Sequence, residues 1–227
     1  MVSSSDKSLV SVLIDGDGAI FVSTLLARGR EGGREAAMLL RQSVGDYARR
    51  VMGREPSRIV CYAYVNATDL GRVLENTETA SLEAWSEFQA GFNQAHPLFS
   101  LVDCGRGKEG ADSKMREAVK MFATLSSCGL VLFAGTHDNG YVPCLQSLAT
   151  EGVLNKVHLL GSYSDMPIDI RSLKLPVHTI EGLFMAEVRR ARSNAADAPE
   201  TRGLWTTSTA EPDQAGLLSQ GLAPELV

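Results

Sequence analysis

LVSVLIDGDG, residues 9–18, is a nearly unbroken apolar run that stops at Asp15-Gly16-Asp17-Gly18. An apolar run of this length without polar alternation predicts a strand buried on both faces, as in parallel sheets, and its glycine-rich end predicts a tight turn. From Arg34 to Val51 the apolar residues Ala37, Leu40, Val44, Tyr47 and Val51 recur at three- and four-residue steps, one face of an amphipathic helix closed by Gly53 and Pro56. Arg58 to Val65 predicts a second buried strand, and Asn66 to Leu74 a helix that Asn66 caps. Leu82 to Ala95 predicts a helix halted at His96-Pro97, followed by a third strand from Leu98 to Val102. Met115, Ala118, Val119, Phe122 and Leu125 mark another helical stripe, with Asp112 in its first turn. Gly129 to Ala134, Lys156 to Leu160 and Val177 to Ile180 read as further strands, with a helix over Tyr141 to Ala149. Alternation of strand and helix implies right-handed crossovers: a three-layer α/β/α sandwich around a mostly parallel sheet, with functional residues beyond the carboxyl ends of the strands.

Composition sets the frame. The 227 residues are 44% hydrophobic and 22% charged, enough for one substantial core. The net charge of −5 advertises no global polyanion-binding surface, so any contact with nucleic acid must be local. Cys61, Cys104, Cys128 and Cys144 show no paired zinc spacing and read as buried reduced thiols. No run approaches the roughly 20 apolar residues of a membrane span. MVSSSDKS at the start lacks a signal-peptide core, so an intracellular address, cytoplasmic or nuclear, is expected. The expected organisation is a flexible start over residues 1–8, a domain over 9–190, and a disordered tail over 191–227, rich in Ala, Pro, Ser, Thr and Gly. Its end, LLSQGLAPELV, is a candidate segment for a protein partner or homodimer contact, or ordinary tail.

The chemistry gathers at acids. Asp15 and Asp17 follow the first strand, Asp112 opens a helix, and Asp138 follows the fourth strand. Carboxylates crowded at one sheet edge repel one another unless a cation sits among them, and hard oxygen ligands suit Mg²⁺ or Mn²⁺. Such a centre polarises a phosphoryl oxygen and activates water, so no side-chain nucleophile is needed. Lys108 and Lys114 flank Asp112 as candidate phosphate contacts, and Thr136, His137 and Asn139 as candidate water- or substrate-orienting groups. Each acid also has a plain alternative: Asp15 ending a turn, Asp112 favouring a helix amino terminus, Asp138 starting the next helix.

Three blocks, LVSVLIDGDGAIF, GKEGADSKMREAVKMF and LVLFAGTHDNGYVPCLQSL, resemble in order and spacing the signature blocks of NYN domains in the PIN-like nuclease superfamily. They resemble most closely the NYN-like domain of fungal CCCH-type zinc-finger proteins, over residues 9–185. The resemblance implies a PIN-like, Rossmann-like topology and a metal-dependent endoribonuclease acting on RNA, with Asp15, Asp112 and Asp138 as catalytic metal-binding acids and Asp17 as a compensating ligand. Two positions depart from the pattern: Gly18 stands where an asparagine is usual, and Gly140 where a second acid is usual. No Cys-Cys-Cys-His spacing follows residue 185, where the fungal relatives carry a zinc finger.

Two rival readings follow from the same residues. A strand ending in Asp15-Gly16-Asp17-Gly18-Ala19-Ile20 also resembles the nucleophile motif of haloacid-dehalogenase-like phosphatases, with Asp15 phosphorylated and Asp17 as acid/base; Asp138 alone does not supply that family's late acid pair. The other is a degenerate NYN-like module that binds RNA or protein without cleavage. Arg28, Arg30, Arg34, Lys108, Lys114 and Arg116 would guide an RNA backbone, or simply form a solvated rim.

Overall fold

β1 (Leu9–Asp15) is buried along nearly its whole length between two parallel neighbours, β2 (Arg58–Val65) and β4 (Cys128–Ala134). The computed structural model describes residues 8–106, 109–161 and 166–185; the expected tail, Lys108 and the first seven residues lie outside this range. β3 (Phe99–Asp103) extends the sheet beyond β2, while β5 (Val157–Gly161) and β6 (Val177–Thr179) extend it beyond β4. The order is β3-β2-β1-β4-β5-β6 and every ladder is parallel.

Alternation along the strands divides the core in two. Val10, Val12 and Ile14 face one way, onto α1 (Ser23–Leu26), α2 (Gly29–Met52), α3 (Ala67–Asn76) and α4 (Leu82–Ala95). Leu13 faces the other, onto α5 (Gly110–Thr124), α6 (Val142–Thr150) and α7 (Ile168–Ser172). Helices therefore cover both faces, and the sequence-based sandwich is the observed architecture. Phe88, Phe92 and Phe99 are fully buried on the first face, each removing apolar area worth roughly 1.5–3 kcal/mol from water.

Local signals fix several ends. The Asn66 side chain accepts a hydrogen bond from the Asp69 N–H at 3.1 Å, and Ser81 does the same for Ala84 at 3.1 Å, capping α3 and α4. Gly53 closes α2 in the left-handed conformation, where glycine carries no Cβ penalty. The amino end of α2 differs from expectation, starting at Gly29 rather than Arg34. A Cβ at Gly33 would run into the Phe88 carbonyl, and one at Gly91 into the Arg30 carbonyl. These glycines bring α2 and α4 into backbone contact, and packing outweighs their poor helix propensity.

Strand order places the site. From β1 the chain passes outward to β2 and β3, then crosses back to enter β4 on the other side of β1. The switch point thus lies between the carboxyl ends of β1 and β4, where a crevice opens in sheets of this kind. No helix among the described residues is long and apolar enough to cross a membrane.

Candidate functional site

Asp15 is the last residue of β1 and shares the α5 face with Leu13, two residues earlier. It is only 2% exposed. A buried carboxylate needs donors, and three reach it. The Tyr141 hydroxyl lies 2.7 Å from Oδ2, the His137 Nε2 lies 3.2 Å from the same oxygen, and the Asp17 N–H donates to Oδ1 at 3.3 Å. Asp112, in the first turn of α5, meets the same Tyr141 hydroxyl at 2.9 Å through Oδ1. A single phenolic proton therefore stands between two carboxylates. Tyr141 is fixed by a short 3₁₀ turn, Asn139–Tyr141, and its ring packs edge-on against Phe133 at 5.1 Å.

The electrostatics follow from this crowding. Burial, and then the Asp15 and Asp112 charges, hold the Tyr141 phenol far above its ordinary range. Asp112 is raised by burial and by Asp15, against the lowering bond from Tyr141. Asp17 remains exposed, yet desolvation by the chain around it pushes its carboxyl up to about 6, with Asp15, Asp112 and Asp69 adding to the push and the Asn66 N–H opposing it. For His137, burial favours the neutral ring, but the hydrogen bond and charge of Asp15, with Asp138 and Asp112 behind it, lift it above the usual imidazole value.

The sequence-derived candidates divide. Asp15 and Asp112 are joined through Tyr141, and Asp17 stands beside them with both oxygens accepting from the Asn66 N–H at 3.0 and 3.2 Å. Asp138 accepts from the Gly140 N–H at 2.8 Å and so caps the 3₁₀ turn, its plainer role, while its charge reaches His137. Thr136 is buried, Asn139 is exposed, and Lys114 is exposed on α5. Four arginines of the expected basic rim are tied to glutamates: Arg28 to Glu35 at 2.5 Å, Arg30 to Glu87 at 2.7 Å, Arg34 to Glu31 at 3.0 Å and Arg116 to Glu109 at 2.7 Å.

Tyr141 is the residue that sequence reasoning missed, because it was absorbed into the helix that follows. Its one signal was a hydroxyl on an aromatic residue beside Asp138-Asn139-Gly140, where phenylalanine would have served packing alone. Gly18 gains a reason as well. The His137 ring lies directly over it, so that a Cβ at position 18 would fall inside the ring.

Asp15 and Asp112 offer hard oxygens of the kind Mg²⁺ and Mn²⁺ prefer. The space between them, however, holds the Tyr141 hydroxyl, and the same Asp15 oxygen faces His137. Among the described residues no three His, Cys, Asp or Glu side chains converge to hold a metal ion. As arranged, the acids do not fit one. What the arrangement provides is a hydrogen-bonded unit of two carboxylates, a phenol and an imidazole.

Residues 4–184 match the family described as a domain of unknown function, DUF7923. The chain belongs to that family. No curated protein and no solved structure matches this DUF7923 chain.

Proposed function

We propose that this DUF7923 chain is a non-cleaving NYN-like domain, a nuclease-like scaffold whose strand-end acids are held by Tyr141 and His137 in place of a metal ion, and which works by binding. One observation carries the reading: the Tyr141 hydroxyl stands within hydrogen-bond reach of both Asp15 and Asp112, in the position a shared cation would need. The partner that suits the surface is a protein segment with basic residues rather than an RNA strand. Asp17, Asp69, Asp103, Asp112 and Glu109 crowd the carboxyl edge of β1–β3 and the start of α5, while the nearby Arg116 is already paired with Glu109. An RNA backbone gains affinity chiefly from cations that neutralise phosphate, and among the described residues Arg72 and Arg116 beside these acids are already paired with Asp69 and Glu109, while Lys114 is an exposed cation near them. Phosphatase chemistry is disfavoured on the same grounds, since Asp15 as a nucleophile would have to leave its donors and its burial.

The second reading, a Mg²⁺- or Mn²⁺-dependent endoribonuclease, has one observation in its favour. Desolvation first, and the charges of Asp15, Asp112 and Asp69 after it, raise the Asp17 carboxyl to about 6, and a cation among these acids would relieve the like-charge part of that cost. It requires Tyr141 to leave the space between Asp15 and Asp112. Labelled single-stranded RNA incubated with Mn²⁺ or Mg²⁺ decides between the two. We expect no cleavage above the level of Asp15→Asn and no retention of the RNA at low salt. Metal-dependent cleavage that both Asp15→Asn and Asp112→Asn abolish would overturn the proposal.

A further inference from the structure

We infer that Gly18 and His137 act as a lock on the strand-end acids, with the His137 ring seated over Gly18 so that divalent cations are kept from the Asp15–Asp112 position. The inference rests on the non-cleaving reading and assigns the residue that maintains it. The chain turns tightly after β1, with the Gly18 and Ala19 N–H groups donating to the Asp15 carbonyl at 3.2 and 2.7 Å. That turn carries the Gly18 Cα to the underside of the imidazole, where the nearest atoms to an added Cβ are Cε1, Nε2 and Nδ1. Only a residue without a side chain leaves the ring this seat.

Seated there, the imidazole points Nε2 at Asp15 Oδ2 from 3.2 Å, while Tyr141 approaches the same oxygen from 2.7 Å. With the Asp17 N–H on Oδ1, the Asp15 carboxylate faces three donors. A hydrated cation approaching Asp15 meets the donor edge of the ring instead of a lone pair and must displace it, and divalent ions of this class need carboxylate oxygens at close range. His137 is in this sense a positioning residue, holding Asp15 turned toward Tyr141 and Asp112. Gly18 is the residue that makes its seat.

Two variants of the full chain dislodge the ring by different routes. His137→Ala removes it, and Gly18→Ala pushes it out with one methyl group. Mn²⁺ alone is the probe, read by titration calorimetry and by the change in melting temperature, since an ion that binds only the folded state raises it. We expect the native chain and Tyr141→Phe to show no saturable Mn²⁺ binding and no shift at millimolar concentration. His137→Ala and Gly18→Ala, each combined with Tyr141→Phe so that no hydroxyl stands between Asp15 and Asp112, should gain saturable binding at least tenfold tighter, with a higher melting temperature in Mn²⁺. Should Gly18→Ala fail to fold, His137→Ala still decides. Folded variants that stay blind to Mn²⁺ would overturn the lock and leave the non-cleaving reading standing. A native chain that binds Mn²⁺ as tightly as the variants would also overturn the lock, and if it cleaves RNA as well, both inferences fall.

Discussion

The Tyr141 hydroxyl is needed by its acceptors more than by its packing. The ring alone would satisfy Phe133, and a buried phenol without an acceptor costs about 1–3 kcal/mol, so the two carboxylates are what make tyrosine better than phenylalanine here. Tyr141→Phe keeps the ring and leaves Asp15 and Asp112 with no proton between them. The expected result is a loss of about 1–3 kcal/mol at pH 7 in urea denaturation. The sign of its pH dependence follows from Asp112, whose folded pKa is raised above the ordinary 3.8. A raised pKa means the native state takes up its proton at higher pH than the unfolded chain, so acidification favours the native state at this group. As pH falls through that raised value Asp112 takes up a proton of its own, the repulsion between the two acids is relieved, and the deficit of the variant should shrink. A deficit constant from pH 7 to pH 4.5, or no deficit at all, would show that the hydroxyl does not bridge the acids.

Among the elements, α2 and α4 depend most on residues that look wrong for them. Alanine exceeds glycine in helix propensity by about 1 kcal/mol, which predicts that Gly91→Ala should stabilise an isolated α4. In the folded protein the added methyl group would meet the Arg30 carbonyl of α2, which is backbone and cannot rotate away. The expected outcome is destabilisation by roughly 1–3 kcal/mol despite the better propensity, seen as a lower melting temperature. A neutral or stabilised variant would mean that the helices separate at little cost. Asn93 on α4 shows a different device at the sheet edge. Its amide accepts from the Leu101 N–H at 2.6 Å and donates to the Leu101 carbonyl at 3.4 Å, so at Leu101 a side chain satisfies the backbone of the edge strand β3.

Across the whole molecule the two edges are closed by different means. β6 has only three residues and is stitched to α2 by His178, whose Nε2 pairs with Ser43 Oγ at 2.9 Å and whose ring stacks on Tyr47 at 4.2 Å. Tyr47 reaches on to His158 Nδ1 at 2.8 Å in β5. Burial lowers both imidazoles below their ordinary 6.5, with Arg50 adding to the effect at His178. A lowered folded pKa contributes stability that is present above 6.5 and is lost as pH falls through the folded value. Amides of β5 and β6 should therefore exchange faster at pH 5 than at pH 7 relative to those of β1, after correction for intrinsic rates. Equal protection at both pH values would show that the histidine stitch carries little of the edge. The arginine–glutamate pairs on the helices bear on function more than on stability. Exposed pairs contribute about 0–1 kcal/mol each, but they cancel positive charge that a phosphate backbone would otherwise find.

The sequence by itself determined the alternation of strands and helices, the parallel sheet and the strand-end position of Asp15, since each rests on periodicity and turn signals within a window of ten to twenty residues. It did not reveal that α2 begins at Gly29, because local propensity counts against Gly29, Gly32 and Gly33, and only α1 and α4 packed against them reverse the balance. Nor did it join Tyr141 to Asp15 across 126 residues and to Asp112 across 29, or seat His137 over Gly18. Those pairings are fixed by strand order, which brings the ends of β1 and β4 side by side, and no local pattern encodes which side chain meets which. The sequence supplied the acids; the tertiary structure decided that a tyrosine and a histidine hold them.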